Sequence, residues 1–232
     1  DRDLQVILAS SSGGTLGGMV AGFALLERTD VHLLAVSSDT PAAELQETAV
    51  TLAGQALELL EADPERLETM KGRLDVTDAE SIRRAFHSCA LRFGGLDVLV
   101  PNAGIAHVSA LADMDEAAFR RVVEVNLTGT MLVLREGARM FRAQGSGGAV
   151  VFQGSKNVPA PGAGFGAYSA SKAGATQLAR IAALEFAPLG VRVNTVHADA
   201  VFGDDVPSGL WAEVGPDRMR ARGLDPQGLR DY

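Results

Sequence analysis

The chain has little with which to cross-link itself or hold a metal. Cys89 is its only cysteine, so no internal disulfide can form, and such sparing use suits a reducing compartment. His32, His87 and His107 show no metal-ligand spacing, and no metal site is expected. Basic residues are in deficit: 21 Lys and Arg against 29 Asp and Glu leave a net charge of −8. An acidic chain without a dense Lys/Arg run is a poor partner for nucleic acid or an anionic membrane surface. The longest apolar stretch, Gly13 to Leu26, falls short of the ~20 residues needed to span a bilayer. Asp1-Arg2-Asp3 is not the basic opening of a secretory signal. A cytoplasmic location is therefore expected. Repeats, low-complexity tracts and proline-rich linkers are also missing.

What is abundant is glycine, at 26 of 232 residues, above the usual ~7%. Hydrophobic residues make 47% and charged residues 22%, which is globular composition and argues against disorder. The length suits one domain over 1–232.

Short β-branched runs alternate with longer helical runs. The strands expected are Gln5–Ser10, Val31–Ser37, Gly72–Asp75, Asp97–Pro101, Ala149–Gly154 and Val191–His197. Each is nearly continuous in apolar residues, as strands covered on both faces are. The helices expected are Leu16–Arg28, Pro41–Ala62, Asp78–Phe93, Asp115–Gln144 with a bend near Gly129, and Tyr168–Leu189. This alternation predicts an α/β fold: a doubly wound, Rossmann-type parallel sheet with helices on both faces. The segment from Asp39 to Lys71 is long for one crossover and has room for an extra helix or turn. Residues 204–232 read as loop with short helices, a lid on the substrate side.

Between the first strand and helix lies Ser10-Ser11-Ser12-Gly13-Gly14-Thr15-Leu16-Gly17-Gly18-Met19. Such a turn lets backbone amides approach a diphosphate at a helix N-terminus. Gly13 and Gly17 have G-x-x-x-G spacing, with Met19 where a third glycine is expected. The same glycines also suit a turn with tight helix packing. The second strand ends at Ser37, with Asp39 two residues on and no nearby Lys or Arg to clamp a 2′-phosphate. That favours NAD over NADP, although Asp39 also suits a turn before Pro41.

Tyr168-Ser169-Ala170-Ser171-Lys172 carries chemistry. Residues i and i+4 share a helix face, so Lys172 is expected beside the Tyr168 phenol. A phenol of pKa ≈ 10 is a weak base at neutrality, and a neighbouring cation favours phenolate. Ser155 ends an apolar strand, Asn102-Ala103-Gly104 follows the fourth strand, and Asn126 falls inside a helix, where Asn is a poor former.

In order and spacing, Gly13-x-x-x-Gly17, Asp75, Asn102-Ala103-Gly104, Asn126, Ser155 and Tyr168-x-x-x-Lys172 resemble the short-chain dehydrogenase/reductase family. The resemblance covers residue 5 to about 200. It implies that Tyr168 is the general acid/base and that Ser155 holds the substrate oxygen. By the same resemblance Lys172 binds the nicotinamide ribose and lowers the Tyr168 pKa, and Asn126 supports a water beside Lys172. Asp75 and Val76 would border the adenine, and Asn102, Ala103 and Gly104 would line the cofactor cleft. A small-molecule substrate and a homo-oligomer built on Asp115–Gln144 and Tyr168–Leu189 are also implied.

Gly154-Ser155-Lys156-Asn157, Asn194 to Val201, Ser208 to Trp211 and Arg222 to Pro226 look closer to one subgroup. That subgroup is the dehydrogenase portion of bifunctional rhamnulose-phosphate aldolase/lactaldehyde dehydrogenases, which implies small hydroxy-aldehyde or sugar-derived substrates. Four departures stand out: Met19; Pro101 in place of the polar residue usual before Asn-Ala-Gly; Ala198-Asp199 in place of the usual Pro-Gly; and an end at Tyr232, before the usual final strand. They leave a second reading open, a catalytically silent nucleotide-binding or scaffold module. His197, near the cleft, reads as a contact to cofactor or substrate or, in preference, as a satisfied loop histidine; Trp211 reads as either a lid or a packing residue, and Cys89 as core.

Overall fold

The computed structural model describes residues 4–10, 14–28, 30–37, 42–60, 62–63, 65, 67, 74–78, 82–199, 215–216, 219–220, 223–225 and 228. Six strands, β1 (Leu4–Ser10), β2 (Val31–Ser37), β3 (Leu74–Asp78), β4 (Val98–Val100), β5 (Gly148–Gln153) and β6 (Val191–Val196), form one sheet. Their order is β3-β2-β1-β4-β5-β6, and every pairing is parallel. The chain winds outward through β1, β2 and β3, returns to β4, then winds the other way. The order reverses between β1 and β4, the place where doubly wound sheets have a crevice at the carboxyl ends of their strands.

The helices are α1 (Gly14–Leu25), α2 (Ala42–Leu59), α3 (Ile82–Phe93), α4 (Glu116–Val123), α5 (Gly129–Gln144) and α6 (Gly166–Phe186). Strand side chains alternate between two cores, as the pleat dictates. Val98 and Val100 join Val6 and Leu33 under α1 and α2, which contribute Leu16, Val20, Leu45 and Ala49. Leu99 and Val150 join Phe86, Leu134, Phe141 and Ala182 of α3, α5 and α6. Helices therefore cover both faces, as expected.

Element ends follow local chemistry. Asp115 caps α4, its carboxylate accepting from the Ala118 N–H at 2.7 Å. Gly145 closes α5 in the left-handed region at φ 67°, a conformation that costs glycine little. Three expectations are corrected. β3 runs on to Asp78, past the expected end at Asp75, because β-branched Val76 and Thr77 continue the ladder. Helix α3 accordingly begins at Ile82 rather than Asp78. The helix expected over Asp115–Gln144 is α4 and α5 joined by a π-turn at Glu124–Thr128, immediately before Gly129. Gly13, Asp39, most of 204–232 including Trp211, and much of the segment after Leu60 lie outside the described residues.

Candidate active site

Ser155, Tyr168, Lys172 and Asn126 come together at the carboxyl end of β5, and all four are buried. Ser155 leaves β5 two residues after its end. Its Oγ accepts from the Asn157 N–H at 3.1 Å, and Ser155 is the neighbour that favours the ionised form of the Tyr168 phenol. Tyr168 stands in the first turn of α6, its ring edge-on to Phe165 with centroids 6.2 Å apart. One turn on, Lys172 Nζ donates to the Gln153 carbonyl at 2.9 Å and lies 5.7 Å from the Phe152 ring centroid.

Asn126 is fully buried in the π-turn. Its Oδ1 accepts from the Ile105 N–H at 2.8 Å, and its Nδ2 donates to the Ile105 carbonyl and to Ser171 Oγ, each at 2.9 Å. Ser171 Oγ in turn donates to the Tyr168 carbonyl at 2.8 Å. Asn126 thus fastens the loop after β4 to α6. The π-turn explains how an asparagine occupies a helix interior: the extra residue per turn aims its amide at that loop.

Burial governs the charges. It pushes the Tyr168 phenol above its ordinary value, and Ser155 only partly opposes this. Burial also pulls Lys172 down from 10.5 to about 8. The expected lowering of Tyr168 by Lys172 does not appear here: the ammonium is directed at the Gln153 carbonyl, and desolvation is the largest influence on the phenol.

The remaining expected residues divide. Asn102, Ala103 and Gly104 follow β4 and are partly buried. A Cβ on Gly104 would approach Lys172 Nζ at 3.3 Å and Asn126 Oδ1 at 3.4 Å. Ser37 ends β2, opposite Ser10 and Asp78. Asp75 and Val76 stand inside β3, opposite Leu34 and Ala35, rather than at its end. Gly17 lies within α1. A Cβ there would meet Leu52 Cβ at 2.7 Å and the Ala49 carbonyl at 3.0 Å. It serves the packing of α1 on α2 rather than the turn itself, and Met19 packs into the same core.

The sequence offered two readings of His197, a contact with cofactor or substrate and, in preference, a satisfied loop histidine; the ring is satisfied, and by the backbone of Ser155. His197 Nδ1 lies 2.9 Å from the Ser155 carbonyl and 3.3 Å from its amide nitrogen. Its position one residue past β6 was the only signal.

The parallel order β3-β2-β1-β4-β5-β6, with Ser155, Tyr168 and Lys172 buried past the end of β5, defines a doubly wound α/β fold of the Rossmann type. A family model described as short chain dehydrogenase matches residues 36–204. The chain belongs to that family. The match begins after the glycine-rich turn. The chain is 38% identical over 164 residues to the uncharacterized oxidoreductase YuxG of Bacillus subtilis (strain 168), covering 70% of this chain and 23% of that protein. It is 43% identical over 143 residues to cis-4-hydroxycyclohexanecarboxylate dehydrogenase of Sinomonas cyclohexanicum, covering 61% and 57% respectively. The chain thus spans less than two thirds of the length of either relative. Among solved structures, levodione reductase aligns with a TM-score of 0.73 at 23% identity, over 98% of this chain and 80% of that one.

Proposed function

We propose that this chain transfers hydride between a nicotinamide cofactor, preferentially NAD, and a small carbinol/carbonyl pair. The observation that carries this is the joint burial of Ser155, Tyr168 and Lys172 past the end of β5, with Lys172 one helical turn behind Tyr168 and its Nζ on the Gln153 carbonyl. Among the described residues, Lys172 Nζ has one acceptor, Gln153. An ammonium carries three donors, so two face the space beside Gly104. A buried cation with two donors to spare fits a ribose diol, and glycine at 104 leaves room for it.

A bound nicotinamide supplies or accepts the hydride. In reduction, the protonated Tyr168 phenol gives its proton to the carbonyl oxygen. Ser155 Oγ holds that oxygen in line, which contributes by orientation. In oxidation, Tyr168 as phenolate takes the hydroxyl proton. Lys172 binds the ribose, and Asn126 keeps the loop bearing Gly104 in place and supports a water beside Lys172. Gly13, Ser37, Asp75, Val76, Asn102 and Ala103 are proposed to line the rest of the cofactor site.

The substrate class we infer is a hydroxy-aldehyde, polyol or sugar-derived aldehyde. The match to a fraction of the much longer YuxG supports kinship with the dehydrogenase portion of bifunctional proteins. Relatives named as dehydrogenases weigh against a silent scaffold. The test is a fluorescence titration with NADH and separately NADPH, followed by turnover of Tyr168→Phe. Saturable NADH enhancement and a variant that binds NADH but is inactive are expected. Turnover surviving in Tyr168→Phe would remove Tyr168 as the acid/base.

A further inference from the structure

Ser155 lies beyond the last ladder pair of β5 and β6, Gln153 with Val196. Strand geometry alone therefore does not fix it. The short segment past the end of β6 takes over. The Gly154 N–H donates to the Val196 carbonyl and the Lys156 N–H to the Ala198 carbonyl, each at 2.9 Å. Lys156 Nζ donates to Asp199 Oδ2 at 2.6 Å. Between these contacts stands the His197 ring. Its Nδ1 donates to the Ser155 carbonyl at 2.9 Å or accepts from the Ser155 N–H at 3.3 Å, according to tautomer. The carbonyl has a second partner, the Val158 N–H at 3.1 Å. Among the described residues the Ser155 N–H has only His197. This bond is part-buried, and an N–H left unpaired there would cost stability. The ring also requires Gly154, since a Cβ there would stand 2.8 Å from Nδ1 and 3.0 Å from Cε1.

We propose that His197 is a positioning residue for the hydride-transfer site. Its Nδ1 fixes the Ser155 backbone, and so aims Ser155 Oγ at the Tyr168 phenol. The segment carrying it, His197-Ala198-Asp199, has Ala198-Asp199 where the family usually has Pro-Gly. The ion pair and the histidine together give Ser155 an anchor on the strand next to its own. This role rests on the assignment of Ser155 and Tyr168 to proton transfer proposed above.

The test uses the fact that the chain has two tyrosines. In a Tyr232→Phe background, ultraviolet absorbance of phenolate reports Tyr168 alone. Ser155→Ala should raise the midpoint, because it removes the neighbour that favours the ionised form. His197→Ala and His197→Gln should raise it by more than half as much. His197→Asn should match the parent, because its amide lies near the position of Nδ1 and offers both a donor and an acceptor. Circular dichroism at each pH restricts the reading to folded protein. If His197→Ala does not fold, the contrast between Asn and Gln carries the test, since both are amides of different reach. Midpoints unchanged in His197→Ala and His197→Gln, with Ser155→Ala shifted, would overturn the role of His197 alone. An unchanged Ser155→Ala would instead overturn the Ser155–Tyr168 pairing. In turnover, His197→Gln should lower kcat about tenfold, a fraction of the ~10²–10⁴-fold that a positioned proton donor contributes, and leave the NADH dissociation constant unchanged. A rise in that constant with kcat intact would count against positioning.

Discussion

Two ionisable groups in the site are moved by burial in opposite senses, and each shift has a consequence at the residue itself. The Tyr168 phenol is raised, so near neutrality it is a proton donor. Reduction should therefore be nearly flat with pH across neutrality, whereas oxidation, which needs phenolate, should climb about tenfold per pH unit below the midpoint. Profiles of kcat in both directions would test this, and an oxidation rate level from neutrality upward would contradict it. Lys172 falls from 10.5 to about 8. Between those values the unfolded chain binds more protons than the folded one, so stability rises with pH through that window. Below it the full burial cost applies: 10.5 − 8 gives 2.5 units, about 3 kcal/mol at ~1.4 kcal/mol each. Lys172→Met should thus melt higher at pH 7, lose the pH dependence between about 8 and 10.5, and bind NADH poorly. A lower melting temperature would show that the bond to Gln153 outweighs desolvation. The identities Ser155, Tyr168 and Lys172 were readable from their spacing. The direction of each shift was not, because spacing carries no information on how much water a folded site retains.

At the scale of elements, the sequence predicted six strands and most helix bodies correctly, and the errors cluster where two local signals compete. Val76 and Thr77 favour strand while Asp78 favours a helix start, and in the fold the ladder wins. The glycine turn was ambiguous for a similar reason. Approach to a diphosphate and close packing both demand a missing Cβ, and the described geometry assigns Gly17 to packing. The π-turn was foreseen only as a bend, because its cause lies far away in sequence. Asn126 must reach Ile105 and Ser171, 21 and 45 residues away. Its removal should be felt across elements. Asn126→Ala leaves the Ile105 N–H and carbonyl short of partners, a loss of about 2–3 kcal/mol where buried groups go unsatisfied. Urea denaturation should read that loss, and hydrogen exchange at Ile105 should accelerate. A loss below about 0.5 kcal/mol would mean the loop after β4 finds other partners.

At the scale of the molecule, the helices that position the chemistry also bear exposed apolar residues. On α6, Leu184 is 78% and Ile181 41% exposed, one turn apart on the helix that holds Tyr168 and Lys172. Phe119 on α4 and Met131 on α5 are also exposed. Single exposed apolar residues are ordinary, but a set shared by neighbouring helices is what an association face needs. A homo-oligomer formed through α4, α5 and α6 would cover it. Light scattering after size exclusion should give at least a dimer, and Ile181→Glu with Leu184→Glu should give a monomer. Because subunit contacts stabilise the folded state by mass action, the parent should melt higher as its concentration rises, and the double variant should not. The changes leave Tyr168 and Lys172 untouched. A monomer that still binds NADH would separate assembly from cofactor binding, whereas parallel loss would mean that α6 holds its residues in place only when its outer face is covered. A monomeric parent with a concentration-independent melting temperature would refute the oligomer.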